Sequence, residues 1–277
     1  MTETHFATRA SISGHTQVVV ILAHPVGHIR TPAAMNAHFA AAGQDAVIVP
    51  MHVQPDDLAA VVDGLRRLRN LGGIIVTVPH KETIAALCDD LTDQARLVGA
   101  VNAIRVQPDG RLLGGQFDGE GFCAGLVAAG HAIRGRRIWM AGAGGAAAGI
   151  AFALLRQGAG ALAIHNRGAA RAEVLVARLR HAFPGREIAA AGADPADHDI
   201  VVNATSLGLH PGDALPVDCT RMTPGMLAAE VVMQPEVTPF LRAAAAIGCA
   251  THPGLPMLTE QVPILARFVT ARDWAAG

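Results

Sequence analysis

The sequence predicts an α/β protein of two domains. Three observations lead there. Short, apolar, β-branched runs alternate with helix-like segments. One such run passes through a glycine-rich turn directly into a helix. Finally, 277 residues at 51% hydrophobic and only 16% charged are enough for two buried cores and argue against disorder.

The elements follow in order. Met1 to Gln17 mixes Glu3, His5, Arg9 and His15 with small residues. It lacks the apolar run of a signal peptide and reads as a frayed leader. Val18 to Ala23 is a buried parallel strand ending at His24-Pro25. Thr31-Pro32 opens a helix, with Thr31 as N-cap. Ala46 to Met51 is a second strand, and Pro55-Asp56-Asp57 starts a helix running through Arg69. Gly73 to Val78 is a third strand, stopped by Pro79. The segment Gly114 to Phe122, glycine-rich and polar, reads as a hinge. Beyond it come a strand at Ile138 to Ala141, the glycine turn Gly142 to Gly145 and a helix from Ala146 to Gln157. Leu162 to His165 is a strand, Arg171 to His181 a helix, and Ile200 to Asn203 and Ala228 to Val232 are two more strands.

Composition excludes several classes. With a net charge of -1, no basic excess exists to neutralise a phosphate backbone, so no nucleic-acid partner is expected. Aromatic residues are 4% of the chain and tyrosine is absent, which excludes a base-stacking surface. Cys88, Cys123, Cys219 and Cys249 have neither zinc nor disulfide spacing and suit a reducing cytoplasm. Of the 13 histidines, His24 and His28 come nearest to a metal motif, but no carboxylate completes it, and no metal is expected. The uncharged run Ile138 to Leu155 falls short of the roughly 20 residues of a membrane span and reads as a strand and a buried helix start. No membrane partner is expected. The partner is a small molecule, and the chain is expected as a monomer or homodimer.

The glycine turn points to a dinucleotide. Gly142-Ala143-Gly144-Gly145-Ala146 lets backbone approach a pyrophosphate, and the helix N-terminus supplies N–H groups and a favourable dipole. Tight strand–helix packing alone is the other reading. An NAD site would place an acid about 20 residues later for the ribose hydroxyls. Here the strand ends His165-Asn166-Arg167-Gly168, with no acid before Glu173. Arg167 and Arg171 could grip a 2′-phosphate, so NADP is favoured, with NAD as the alternative.

Hydride exchange with a secondary alcohol needs a proton partner, and a lysine near a carboxylate can be one. Lysine is scarce here. Lys81 follows a buried strand at the end where open sheets bind ligands. Asp118 lies in the glycine-rich segment. Spacing alone does not bring the two together, and taken by itself Lys81 also reads as a solvated lysine.

Nearly the whole chain resembles the shikimate dehydrogenase family. The similar segments run in the family's order. They are His24-Pro25-Val26-Gly27-His28, Val76-Thr77-Val78-Pro79-His80-Lys81-Glu82 and Gly99-Ala100-Val101-Asn102-Ala103. Next come Phe117-Asp118-Gly119-Glu120-Gly121-Phe122, the glycine turn and Asn166-Arg167. The last are Asn203-Ala204-Thr205-Ser206-Leu207-Gly208, Thr238-Pro239-Phe240-Leu241, and Gly254-Leu255-Pro256-Met257-Leu258 with Gln261. The resemblance implies a substrate-binding domain (1–117 plus 254–277) and a Rossmann-like NAD(P)-binding domain (118–253). It implies Lys81 and Asp118 as the catalytic pair, with Thr31, Thr77, Asn102 and Gln261 on substrate. Gly142, Ala143, Gly144, Gly145 and Ala146 would take the pyrophosphate, and Asn166, Arg167 and Arg171 the ribose end. Asn203, Thr205, Ser206 and Met257 would line the nicotinamide side. The implied reaction is reversible hydride transfer between shikimate or quinate and the nicotinamide.

The family pattern also breaks. Where its members carry Ser-x-Ser-Pro, this chain has Ile29-Arg30-Thr31-Pro32. An expected asparagine is Ile75, the segment Asn-Thr-Asp is Gln116-Phe117-Asp118, and an expected tyrosine is Met233. A hydrogen bond to a charged group is worth about 1.5–3 kcal/mol, so losing two would weaken shikimate binding by about 10²–10⁴. Arg30 could compensate by gripping a carboxylate, or could be solvated. The expectation is therefore a divergent member. The alternatives are a different cyclic hydroxy acid, a folate-type dehydrogenase, or a cofactor-binding regulator without catalysis.

Overall fold

The computed structural model describes residues 12–27 and 29–271. Residues 1–11 of the expected leader and His28 lie outside the described residues. The end of that leader is not frayed, since Thr16 is buried with its hydroxyl donating to Asp45 Oδ1 and Gln17 opens the first strand. The chain divides into two compact units. One runs up to Phe117 and resumes at Val262; the other is Asp118–Gln261. The boundary expected at Gly254 thus falls eight residues later, inside a helix.

The first unit is built on a six-stranded sheet in the order β2-β1-β3-β5-β6-β4. Strands β1 (Gln17–Ala23), β2 (Ala46–His52) and β3 (Leu71–Val76) are parallel. They are the β-branched runs read from sequence. β3 pairs antiparallel with β5 (Ala103–Val106), which forms a hairpin with β6 (Leu112–Gly115), and the short β4 (Asp90–Leu91) flanks β6. Helix α1 (Thr31–Ala41) has Arg30 at its N-cap, so Thr31 is its first helical residue rather than the cap. The helix expected over residues 55–69 is instead a 3-10 turn, Pro55–Asp57, followed by α2 (Leu58–Leu65). One side of the sheet buries Val20, Leu22, Ile74 and Val76 against Leu58, Val62 and Leu65 of α2. A short helix, α3 (Asp93–Val98), is capped by the Thr92 hydroxyl, which accepts from the Ala95 amide.

The second unit carries an all-parallel sheet ordered β12-β11-β10-β7-β8-β9. The expected hinge is not a loop. After β6, the segment passes through Gln116 and Phe117 into helix α4 (Asp118–Ala128), whose glycines serve close packing. β7 (Arg137–Ala141) leads through the glycine turn into α5 (Gly145–Arg156), then β8 (Ala161–His165), α6 (Ala169–Ala182) and β9 (Glu187–Ala190). β10 (Ile200–Asn203) and β11 (Leu227–Glu230) lie on the other side of β7, followed by α7 (Pro239–Ile247) and the edge strand β12 (Ala250–His252). The core here gathers Trp139, Val201, Phe240 and Leu241. Helix α8 (Leu255–Thr270) contributes residues up to Gln261 to this unit and the remainder to the first.

Candidate active site

In the first unit, the residues picked out by sequence collect at the carboxyl ends of β1 and β3. This is the edge where open parallel sheets take ligands. Thr77 follows β3 and donates its amide to the Leu22 carbonyl, 3.1 Å away. The turn Thr77–Lys81 is then pinned from within. The His80 amide donates to the Thr77 carbonyl at 3.0 Å, and His80 itself is buried with Nε2 2.9 Å from the Val53 carbonyl. A carbonyl can only accept, so Nε2 carries the proton. Burial holds His80 below its ordinary range, with the Val53 carbonyl opposing and His24 adding to the effect. The half-buried Lys81 is fixed by its carbonyl, which accepts from the Val101 amide at 2.8 Å.

Asn102 is 3% exposed. Its backbone bridges Val76 and Gly115, and its Oδ1 accepts from the Phe117 amide at 2.9 Å. Its side chain is therefore oriented, not merely present. Thr31 opens α1, with half-buried Ile29 and exposed Arg30 just before it. Two departures acquire a physical reason here. Phe117 packs on Phe268 of α8 at a ring separation of 4.7 Å, and Arg105 sits over the Phe268 ring at 4.6 Å. Ile75 is 3% exposed within β3. Ile75 is thus a buried strand residue, and the half-buried Phe117 packs on α8. A feature not foreseen from the sequence is a histidine pair at the ends of β1 and β2. His24 Nδ1 and His52 Nε2 lie 2.8 Å apart. Strand register aligns Ala23 with His52, and that pairing is the signal that could have found it.

In the second unit, Asp118 is the first residue of α4 and is 3% exposed. Its Oδ1 accepts from Gln261 Nε2 at 3.2 Å, across 143 residues of sequence. Gly121 makes this approach possible. A Cβ there would meet the Met257 carbonyl at 2.6 Å and Gln261 Cβ at 2.7 Å. So Asp118, Met257 and Gln261 come together, as sequence alone could not establish.

The glycine turn follows β7. Gly142 takes φ +115° and donates to the His165 carbonyl at 2.7 Å, and a Cβ on it would meet the Ala204 carbonyl at 2.7 Å. Gly144 is the N-cap of α5, has extended backbone, and has nothing within 4 Å of where a Cβ would stand. The turn offers backbone N–H groups at a helix start with no side chain larger than a methyl, which fits a pyrophosphate. Asn166 Nδ2 donates to the Gly168 carbonyl at 3.0 Å. Arg167 and Arg171 are exposed beside the uncapped start of α6, whose first turn holds no acid. Neither forms an ion pair among the described residues. They are two cations at a helix N-terminus, a setting that suits a phosphate.

After β10, Asn203 is fully buried, with Oδ1 accepting from both the amide and hydroxyl of Thr205 at 3.1 and 2.7 Å. Ser206 is exposed at the tip of this loop. A second residue not foreseen from the sequence is Glu230, at the end of β11 with no exposure. Its signal is a carboxylate ending an otherwise apolar strand. Among the described residues no cluster of three metal-ligating side chains exists, and no helix is long and apolar enough to cross a membrane.

The chain is similar along most of its length to known proteins. The family model for the shikimate dehydrogenase substrate binding domain matches residues 21–104. The NADP(+) shikimate dehydrogenase of Rubrobacter xylanophilus is 44% identical over 275 residues, covering 96% of this chain and 95% of that one. The crystal structure of shikimate 5-dehydrogenase from Thermus thermophilus with NADP(H) and shikimate is 30% identical. It aligns at a TM-score of 0.83 over 92% of this chain and 94% of its own. The ligand-free 5-ketofructose reductase of a Gluconobacter species is 34% identical, with a TM-score of 0.82 over 93% and 94%. With likeness of this extent running through both units, the chain belongs to the shikimate dehydrogenase family.

Proposed function

We propose that this chain is an NADP-dependent oxidoreductase that exchanges a hydride reversibly between a ring carbon bearing a hydroxyl, in shikimate or quinate, and the nicotinamide. The observation that carries the reading is the buried Asp118 carboxylate held by Gln261. A buried acid is costly unless it is given partners, and this one sits at a helix start with a directed amide. The first unit would take the substrate and the second the cofactor. NADP, when bound, supplies the hydride acceptor.

The chain's own residues would do the rest. Lys81 Nζ takes the hydroxyl proton as the hydride leaves carbon, and returns it in the reverse direction. Asp118 would accept a hydrogen bond from a substrate hydroxyl and so orient it. Thr31, Thr77, Asn102 and Gln261 hold the remaining substrate oxygens. The Gly142–Ala146 turn binds pyrophosphate, and Asn166, Arg167 and Arg171 hold the adenosine ribose phosphate. Asn203, Thr205, Ser206 and Met257 border the nicotinamide. Four free cysteines suit a reducing compartment, and we place the enzyme in the cytoplasm.

One observation favours a second substrate. Ile29 and Ile75 stand where hydroxyl and amide groups would hold a carboxylate and a hydroxyl, and the Gluconobacter neighbour is named a 5-ketofructose reductase. A cyclic hydroxy acid with fewer hydroxyls, or a ketose without a carboxylate, would suit such a pocket. The deciding assay follows reduced-cofactor absorbance with NADP and NAD against shikimate, quinate and 5-ketofructose. Shikimate turnover with NADP is expected. Silence on shikimate and quinate with turnover of 5-ketofructose would move the enzyme to the second reading. Lys81 is the only lysine in the chain, and Lys81→Ala is expected to lower kcat by about 10³-fold or more, on the scale of a lost acid–base group. Undiminished turnover in that variant would remove the proposed proton transfer.

A further inference from the structure

The Glu230 carboxylate is hydrogen-bonded on both oxygens. Oε1 accepts from the Val231 and Val232 amides at 2.9 and 3.0 Å and from Asn203 Nδ2 at 2.9 Å. Oε2 accepts from Asn203 Nδ2 at 3.1 Å and from the Thr238 hydroxyl at 3.0 Å. All of these groups donate, which matches an acceptor-only carboxylate. Burial pushes the Glu230 carboxyl up, and the same donors oppose that push. The Thr238 hydroxyl cannot readily turn away, because its oxygen already accepts from the Leu241 amide at 3.2 Å as the cap of α7.

The consequence falls on Asn203. Its Nδ2 is committed to Glu230 and to the Leu207 carbonyl at 2.9 Å, so its Oδ1 must face Thr205. The Thr205 hydroxyl in turn accepts from the Leu207 amide at 3.0 Å. Flipping the amide would set its oxygen against a carboxylate and a carbonyl. The root of the loop is fixed as well, since the Ala204 amide donates to the Ala141 carbonyl at 2.8 Å beside the Gly142 turn. An apolar side chain here would leave the Asn203 amide, the Thr238 hydroxyl and the Val231 and Val232 amides without this acceptor. What the carboxylate adds is one permitted orientation of one amide, and through it one conformation of the Asn203–Gly208 loop.

We propose that Glu230 is a positioning residue for hydride transfer, which sets the Asn203–Gly208 loop through the Asn203 amide. The inference rests on the reading of that loop as the nicotinamide side. Glu230→Gln keeps the volume but turns an NH₂ toward groups that are themselves donors. Glu230→Asp keeps the charge and draws it back by one methylene.

The test is single-turnover oxidation of NADPH, and of NADPH deuterated at the transferred position, by 3-dehydroshikimate, or by 5-ketofructose if that is what the wild type turns over. NADP dissociation constants and thermal midpoints are measured alongside. In Glu230→Gln the hydride step is expected to slow by about 10–100-fold, the scale of a small misplacement of reacting groups. The isotope effect on kcat should rise, and NADP affinity should change only a few-fold. Glu230→Asp should fall between. Thr205→Val reports on the loop by a separate route. If it slows the hydride step while a folded Glu230→Gln does not, the positioning role is wrong. If Glu230→Gln does not fold, a wild-type hydride rate in Glu230→Asp overturns the role equally. If Thr205→Val and Glu230→Gln both leave the hydride step untouched, the nicotinamide reading of the loop falls, and this inference with it.

Discussion

At the residue scale, the proposed preference for NADP assigns its 2′-phosphate to two exposed guanidiniums. Arg167 and Arg171 flank the start of α6, and neither is neutralised by a carboxylate among the described residues. A charge-assisted hydrogen bond contributes about 1.5–3 kcal/mol when shielded, and less at an exposed site such as this. Each arginine should therefore contribute about tenfold to NADP binding and almost nothing to NAD binding. Arg167→Ala combined with Arg171→Ala should raise KM for NADP by about 10–100-fold and leave KM for NAD within about twofold. Equal losses for both cofactors would place the 2′-phosphate elsewhere. This site is legible in sequence because it depends on residue type at a strand end. Asp118 and Gln261 are legible only through family resemblance, since 143 residues separate them and no local pattern joins them. Glu230 shows in the sequence only as a carboxylate ending an apolar strand. Its role lies in four donors that only the folded backbone gathers.

At the element scale, the sequence locates β1, β2, β3, β7 and β8, of five to seven residues each, and the four-residue β10 and β11 as short apolar runs. β4, β5, β6, β9 and β12 hold two to four residues each, too few to show a period. The larger difference concerns glycine. Gly114 to Phe122 reads as flexible by composition, yet its glycines exist for contact. A Cβ on Gly114 would meet Leu91 and Val101 at 2.7 Å, and one on Gly119 would run into the Gly149 carbonyl where α4 and α5 pack. Composition cannot distinguish a glycine that bends from one that lets backbones touch. Two substitutions separate these roles. Gly119→Ala should destabilise the fold by about 1–3 kcal/mol, because two helix backbones would have to part. Gly144→Ala has open space around it, so its cost is only that of the poorer N-cap, about 0.5–1 kcal/mol. It should nonetheless weaken NADP binding, since the added methyl stands at the start of α5 where the pyrophosphate would lie. Thermal midpoints and NADP titrations of both variants test the contrast; a stability loss in Gly144→Ala equal to that in Gly119→Ala would contradict it.

At the scale of the whole molecule, buried histidines contribute to the loss of stability as the pH falls. His252 on the edge strand β12 is 2% exposed, and its Nε2 finds no hydrogen-bond partner among the described residues. Burial lowers it from 6.5 to about 4, with nearby His131 adding to the effect. The folded chain thus keeps His252 neutral over a range where the unfolded chain takes up a proton. Its contribution is complete above about pH 6.5, declines as the pH falls toward about 4, and changes no further below that. At about 1.4 kcal/mol per pKa unit, the loss over that window is on the order of 3 kcal/mol, a large share of a typical domain's stability. His80, also held low by burial, acts in the same direction. Glu230 acts in the opposite one, because burial raises it and protonation relieves the folded state. The balance favours the histidines, since donors on both oxygens blunt the Glu230 shift while His252 Nε2 has nothing to offset its burial. Urea unfolding between pH 7 and pH 4 should show stability falling steeply in the wild type and more shallowly in His252→Asn, which cannot take up the proton. Parallel curves for the two proteins would mean that His252 is protonated in the folded state as readily as in the unfolded one, and the acid limb would have to come from other groups.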